Sequence, residues 1–367
     1  MAKIQGSRLL LLASILLGVV AIVHAQDKDD VIKVDTQLVD VPVAVTNAAG
    51  VPLRGLKQTN FVVYEDGKKQ EIADFSATAE PFEVALLLDT SGSTRNDLAL
   101  IQRSAQSFID NLRPGDRVAI ISFTTQRDEK SAFAIPKIFS ELTGDRKALT
   151  AALERVGTSN GTPYYDALIQ VGEKIFRDPP TEQFKGRRAL VALTDAVDSS
   201  SVEEFAAAKD ALESRQVISF IIRVDTRDDF ESRLMGDCES AIHFSSAQIR
   251  RYYRTIGGKG GERAATFCQL GDFERLAVSK RLYELADLEM NDLAKTSGGR
   301  VFQAGDLTDA RAAFKGVADE IGTKYTLGYY PSNDKRDGSY RHIKVEIVGQ
   351  PKGTVVRARD GYNAPSK

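Results

Sequence analysis

Ala85-Leu86-Leu87-Leu88-Asp89-Thr90-Ser91-Gly92-Ser93 is an apolar run that stops abruptly at a carboxylate, followed by two serine hydroxyls spaced one residue apart. A short continuous apolar run of this kind reads as a strand buried on both faces, the signature of a parallel sheet. Open α/β sheets bind their ligands just beyond the carboxyl ends of the strands. Asp89, Ser91 and Ser93 are therefore offered together where such a fold binds things. Three hard oxygen donors on one turn suit a hard cation such as Mg²⁺.

Outward from this stretch, strand and helix patterns alternate. Residues 83–88, 117–123, 188–194 and 217–224 read as strands. Between them, Leu98, Ile101, Ala105, Phe108 and Leu112 form one helical stripe, closed by Arg113-Pro114-Gly115. Leu168, Val171 and Ile175 form a second, and Val202, Phe205, Ala208 and Leu212 a third. Residues 225–280 break the rhythm: they are polar, rich in Arg and Gly, and read as a long insertion. The alternation resumes with a stripe at Tyr283, Ala286, Met290 and Leu293 that ends at Gly298-Gly299. A short strand at Val301-Phe302 and a helix over Leu307–Ile321 follow. The pattern predicts an α/β domain over 81–322, with a doubly wound, mostly parallel sheet covered on both faces.

Both flanks read as β structure. Val39, Val41, Val43 and Val45 alternate with Asp40, Pro42, Ala44 and Thr46, as in a half-buried strand, and Pro42 suggests an edge. Asp66-Gly67, between Phe61–Tyr64 and Glu71–Phe75, signals a hairpin. After residue 322, Tyr325–Tyr330, Arg341–Val348 and Thr354–Arg359 read as strands. Residues 26–80 and 323–367 are each too small to bury a core alone. The economical solution is a β-sandwich built from both chain ends, with the α/β domain inserted between them.

Lys3 and Arg8 precede an apolar run from Leu9 to Val23, and Val23-His24-Ala25 fits a small-residue cleavage site. Residues 1–25 read as a signal peptide, and an uncleaved membrane anchor is the alternative. The chain is then exported, to the periplasm or beyond, with no transmembrane segment after cleavage. Export makes Cys238 and Cys268, the only two cysteines, a natural disulfide, with two free thiols as the alternative. The formal charge is −2 and grows more negative once Lys3 and Arg8 are removed, which argues against a nucleic-acid binder.

Two distant residues join the opening stretch. Thr162 stands at the start of the helical pattern from Tyr165, and Asp195 ends the buried strand 189–194. If these strands are parallel neighbours, Asp195 emerges on the same rim as Asp89. Asp89-x-Ser91-x-Ser93, Thr162 and Asp195 together resemble the metal-ion-dependent adhesion site of the von Willebrand factor type A domains, in order and in context. Val41-Pro42-Val43, Tyr64-Glu65-Asp66-Gly67 and Arg359-Asp360-Gly361-Tyr362 are similar, more loosely, to the flanks of exported bacterial proteins that carry this domain. The resemblance implies a Rossmann-like α/β fold. It also implies that Ser91, Ser93 and Thr162 hold Mg²⁺ (or Mn²⁺ or Ca²⁺) through hydroxyl oxygen, with Asp89 and Asp195 acting directly or through water. One coordination position would be left for a protein partner's Asp or Glu carboxylate. Relatives often carry Gly after the strand-end Asp, where this chain has Ala196.

Other signals have plainer readings. Gly157-Thr158-Ser159-Asn160-Gly161 matches a nucleophile elbow by letter, but it follows a helical pattern rather than a strand. Gly257–Gly261 lacks the Gly-Lys-Ser/Thr ending of a phosphate loop. Arg250, Arg251 and Arg254 suit either an acidic partner or a solvated helix face. Three functional classes follow: a metal-dependent binding or adhesion module, a scaffold of the cell envelope in which the metal site is dispensable, and a metal-assisted hydrolase. The residues favour the first, since no convincing general base accompanies the site and no catalytic residue is assigned.

Overall fold

The computed structural model describes residues 38–77, 81–91, 98–129, 131–184, 187–257 and 266–366. The signal-peptide reading, Ser93 and residues 258–261 of the glycine run lie outside them. The amino-terminal flank forms β1 (Val39–Thr46), β2 (Phe61–Glu65), β3 (Lys68–Gln70) and β4 (Ile72–Ala77). The α/β region runs β5 (Glu83–Leu88), α1 (Leu98–Asp110), β6 (Arg117–Arg127), β7 (Ala132–Thr143), α2 (Arg146–Glu154) and α3 (Tyr164–Gln170). It continues through β8 (Arg188–Thr194), α4 (Phe205–Glu213), β9 (Ile218–Val224), α5 (Arg227–Ser232), α6 (Ser246–Thr255), α7 (Asp272–Ser297), β10 (Arg300–Ala304) and α8 (Ala310–Ile321). The carboxyl-terminal flank adds β11 (Tyr325–Tyr329), β12 (Tyr340–Ile347), β13 (Val355–Ala358) and β14 (Gly361–Asn363).

The central sheet has the order β10–β9–β8–β5–β6–β7, parallel except at β6–β7. Every residue of β5 and β8 is buried. Val84, Leu86 and Leu88 pack with α1 and α8 on one face, while Ala85 and Leu87 pack with α3, α4 and α7 on the other. This is the doubly wound, mostly parallel α/β sheet expected from the alternation. Register is pinned at the amino edge, where buried Glu83 of β5 accepts from Arg117 of β6 and Arg188 of β8, both at 2.9 Å.

Four details differ from the sequence reading. The antiparallel edge strand β7 was not foreseen: Pro136 in its middle argues against a strand, yet it pairs opposite Phe123 at the open margin of the sheet. Val202 belongs to no helix and is 88% exposed; α4 starts at Phe205. α7 begins at Asp272, well inside the expected insertion. The rest of that insertion is ordered around a small core of its own, which includes Leu234, Phe244, Ile249 and Phe267 beneath Val278 and Leu282. Cys238 and Cys268 form a disulfide across it, with their Cα atoms 5.3 Å apart.

The two chain ends interleave. One antiparallel sheet has the order β13–β1–β11–β4 and the other β14–β12–β2–β3, with a shared core of Val41, Val43, Phe61, Val63, Tyr325, Leu327 and Ile343. This is the expected sandwich. β1 is interior rather than an edge, and all of its residues are buried. Pro42 is tolerated because β13 pairs only with Val43–Thr46, which leaves the ladder open at the proline. Asp66 and Gly67 both have positive φ, as a two-residue hairpin demands, but the second strand of that hairpin is Lys68–Gln70. Ile72–Ala77 crosses instead to pair with β11 in the other sheet.

Glu65 ties these strands together. Its carboxylate accepts from Tyr329 Oη of β11 (2.6 Å), Tyr362 Oη of β14 (2.9 Å) and Arg341 Nη1 of β12 (3.3 Å), and both charged side chains are buried. Glu65→Ala leaves the Arg341 charge buried without its carboxylate. Urea denaturation is expected to show a loss of about 3–5 kcal/mol. A second weak point is Gly298, which ends α7 in the left-handed conformation at φ +77°. A Cβ there would lie 2.7 Å from both Ala358 C and Arg359 N. Gly298→Ala is expected to cost roughly 2–5 kcal/mol from left-handed strain plus overpacking. Gly67→Ala, where a Cβ meets nothing within 4 Å, is expected to cost only about 1–2 kcal/mol in the same assay.

Candidate metal centre

Parallel pairing of β5 and β8 sets Leu88 opposite Leu193, so the residues that follow emerge side by side at the carboxyl rim. Asp89 N donates to Leu193 O (2.9 Å), and Thr194 Oγ1 donates to Asp89 Oδ2 (2.7 Å). Ser91 N donates back to Asp89 Oδ1 at 3.1 Å. Asp89, Ser91, Thr162 and Asp195 are all buried. Ser93 lies outside the described residues.

Asp195 Oδ1 accepts from Val197 N (3.0 Å) and Oδ2 from Thr226 Oγ1 (2.5 Å). Thr226 Oγ1 in turn lies 2.9 Å from Tyr283 Oη on α7. Burial raises the pKa of Asp89. Burial, and after it the nearby charge of Asp89, pushes Asp195 up to about 7. The residue after Asp195, where relatives often carry Gly, is indeed left-handed: Ala196 has φ +56°. Its Cβ is accommodated in the core beside α3 and α4.

Thr162 reaches the rim through its loop. Ser159 N donates to Thr90 O (2.9 Å), and Asn160 N to Thr125 Oγ1 (3.0 Å). Thr162 N donates to Ser199 Oγ (2.8 Å), while Thr162 O accepts from Ser199 N (3.0 Å). Asp198 completes the clamp. Its Oδ2 accepts from Tyr164 N (2.9 Å) and Ser201 Oγ (2.5 Å), which satisfies the start of α3 from outside that helix. Asp198, Ser199 and Thr226 were not singled out from sequence. The run Asp198-Ser199-Ser200-Ser201, in the loop that follows a buried strand, was the available signal; Thr226 carried none.

This donor set fits a divalent cation. It is all oxygen: two desolvated carboxylates, of which Asp89 raises the cost of ionising Asp195, and the neutral hydroxyls of buried Ser91 and Thr162. Ser91, Thr162, Asp89 and Asp195 would hold the ion, and a bound divalent ion supplies positive charge and a place for an outside oxygen. Among the described residues, Cys238, His243 and Cys268 also lie together, but both sulfurs are engaged in the disulfide. Ser159 is buried in the Thr162 loop, after α2 rather than after a strand. The three arginines do not form one free patch: Arg251 bonds Glu289 (2.5 Å) and covers the Tyr165 ring, and Arg254 pairs with Glu204.

The sheet is doubly wound, and its carboxyl rim carries buried acidic and hydroxyl side chains. Residues 84–197, which contain Asp89, Ser91, Thr162 and Asp195, match the model of the von Willebrand factor type A domain. Among solved structures, the chain is similar to the conserved hypothetical protein BatB from Bacteroides thetaiotaomicron, at 17% identity and TM-score 0.40, over 65% of this chain and 97% of that one. It is similar to a von Willebrand factor type A protein from Catenulispora acidiphila, at 12% and 0.42, over 91% and 75%. It is also similar to proximal thread matrix protein 1 from the mussel byssus, in a form with a zinc-occupied MIDAS motif, at 10% and 0.39. There the match covers 67% of this chain and 49%, about half, of the mussel protein. Comparison with curated proteins finds no match.

Burial pushes Asp198 up to about 6. The folded state therefore holds a proton there that the unfolded chain releases near the ordinary value of 3.8. The contribution of Asp198 to stability is full below pH of about 4 and falls as pH rises through about 6. Asp198→Ala is expected to destabilise at low pH by about 1–3 kcal/mol, since it uncaps α3. The gap to wild type should narrow between pH 4 and 7.5, as read by urea titration at each pH.

Proposed function

We propose that this chain is an exported, Mg²⁺-dependent protein-binding or adhesion module that captures a carboxylate of its partner. The von Willebrand factor type A match points to protein–protein interaction. The observation that supports the finer reading is that Asp89, Ser91 and Asp195 are buried at the ends of adjacent parallel strands, with the loop that carries buried Thr162 bonded to Thr90 beside them. Neutral hydroxyls would leave a bound Mg²⁺ electron-poor and receptive to an Asp or Glu from outside. The roles of this chain's residues differ. Thr194 and Thr226 orient the two carboxylates, Ser199 holds Thr162, and the ordered insertion next to Thr226 offers a surface for partner specificity. Export is consistent with the amino-terminal pattern and with the disulfide. No described helix is long and apolar enough to cross a membrane.

Calorimetric titration of Mg²⁺, Mn²⁺ and Ca²⁺ tests this reading. Saturable binding is expected in wild type, with at least tenfold weakening in Asp89→Ala and Asp195→Ala. Acetate or an acidic peptide should tighten the wild-type affinity by completing the shell. Equal binding in all three proteins would sink the metal mechanism. Metal binding without any effect of carboxylates would favour the scaffold reading.

A further inference from the structure

Asp195 is aimed by a chain of hydroxyls that begins on α7. Thr226 Oγ1 donates to Asp195 Oδ2 (2.5 Å) and lies 2.9 Å from Tyr283 Oη. A hydroxyl carries one proton, so Thr226 cannot also donate to the tyrosine. Tyr283 Oη therefore donates to Thr226, and donation runs from α7 towards the rim. All three side chains are buried. Among the described residues, Thr226 is the hydrogen-bond partner of Tyr283 Oη.

The tyrosine is itself held by the insertion. Leu282, the residue before it, belongs to the insertion's core with Leu234, Phe244 and Phe267. The Tyr283 ring meets Phe230 of α5 edge-on at 6.3 Å, and Phe230 packs against Phe244 at 5.6 Å. Cys238, one half of the disulfide, packs against the same core. Insertion side chains thus fix the ring, and the fixed ring delivers its hydroxyl to Thr226.

A second brace reaches the threonine side of the centre. Further along α7, Glu289 accepts from Tyr165 Oη of α3 (2.7 Å) and from Arg251 of α6 (2.5 Å). The Arg251 guanidinium also covers the Tyr165 ring, 4.7 Å from its centroid. Tyr164 N and Tyr165 N both donate to Asp198 Oδ2, at 2.9 and 3.4 Å, within the clamp next to Thr162. One stretch of α7 therefore braces both the strand-end acid and the helix that follows Thr162, and each brace includes a residue of the insertion.

We propose that Tyr283 is a positioning residue of the metal centre, through which the insertion sets the orientation of the Asp195 carboxylate and so the affinity for a divalent cation. The inference rests on the metal-centre reading and gives the insertion a part in it. Val197 N already holds Asp195 Oδ1 (3.0 Å), so the Thr226 bond to Oδ2 decides whether the carboxylate is fully fixed. With Tyr283 donating from behind, the Thr226 proton has one direction left, towards Asp195. Without that donor the Thr226 hydroxyl can turn, and a cation must order it on binding. Groups that orient metal ligands in this way commonly carry about tenfold to a hundredfold in metal affinity.

The test titrates Mg²⁺ and Mn²⁺ calorimetrically into the full chain, with the melting temperature recorded for every variant. Tyr283→Phe keeps the ring against Phe230 and deletes only the hydroxyl. Its affinity should fall about three- to tenfold, the factor carried by one hydrogen bond of ordinary strength. Thr226→Val should lose about tenfold or more, and Thr226→Ser, which keeps the hydroxyl, should recover most of that loss. In a Thr226→Val background, Tyr283→Phe should have no further effect, because the chain is already cut. A general loosening of the fold would instead add its loss in both backgrounds. Equal losses from Tyr283→Phe with and without Thr226 overturn the inference. So does wild-type affinity in Tyr283→Phe when Asp195→Ala is weakened, a result that leaves the metal-centre reading standing. A wild type that binds neither ion, or an Asp195→Ala variant that binds as well as wild type, overturns both.

Discussion

Two carboxylates, Asp89 and Asp195, are kept out of water at the ends of adjacent parallel strands, and much of the molecule is arranged around that cost. β5 and β8 cannot pair in register without bringing these residues together. Burying one carboxylate is expensive, and burying two beside each other more so. Thr194, Thr226 and the amides of Ser91 and Val197 offset part of the penalty by donating to them. What these bonds do not remove is the burial, and after it the charge of Asp89, that together push Asp195 up to about 7. A rim built this way is poised for positive charge. Bonds from Ser159 to Thr90 and from Thr162 to Ser199 fix the Thr162 loop next to this rim.

The other end of the sheet shows the opposite chemistry. There buried Glu83 is flanked by buried Arg188 and half-exposed Arg117, and its bonds fix the three central strands against slipping. A slip of one residue would invert every side chain between the two cores. It would also carry Asp89 away from Asp195. Register at the amino edge and composition at the carboxyl rim are thus one constraint seen from two sides. The sandwich obeys a similar logic. Glu65 from the amino-terminal flank has its three partners in the carboxyl-terminal flank, so neither flank completes its polar core without the other.

Legibility in the sequence followed how local each signal was. The strand at 83–88 needed only its own apolar run, and the structure places it over the same residues. Asp66-Gly67 announced its turn, because two consecutive left-handed residues are a local demand. The partner of that turn was misplaced, because which strand continues into which sheet is decided by distant pairing with β11. Pro42 and Pro136 both read as edge or breaking signals. Pro136 does sit on an edge, but Pro42 sits in an interior strand where the neighbouring ladder stops short. At the candidate site, the strand-end acids and Thr162 were visible as a spaced pattern. The residues that aim them were not, since Asp198, Ser199 and Thr226 act through single hydrogen bonds across long sequence separations.

α7 shows why the insertion was the least legible part. Its 26 residues span about 39 Å and meet different neighbours along their length. Near its start, Arg275 donates to Leu234 O and Gly236 O and organises the insertion. Immediately after Leu282, Tyr283 meets the Thr226–Asp195 pair, and Glu289 then receives Arg251 and Tyr165. At the end, Ser297 Oγ accepts from Ser219 N in β9, and Gly298 abuts the tail. A helix with partners on several sides has no single apolar stripe, so only its last turns, packed against the main sheet, showed the expected period. Those changing partners let α7 touch the insertion, the Thr226–Asp195 pair and the tail.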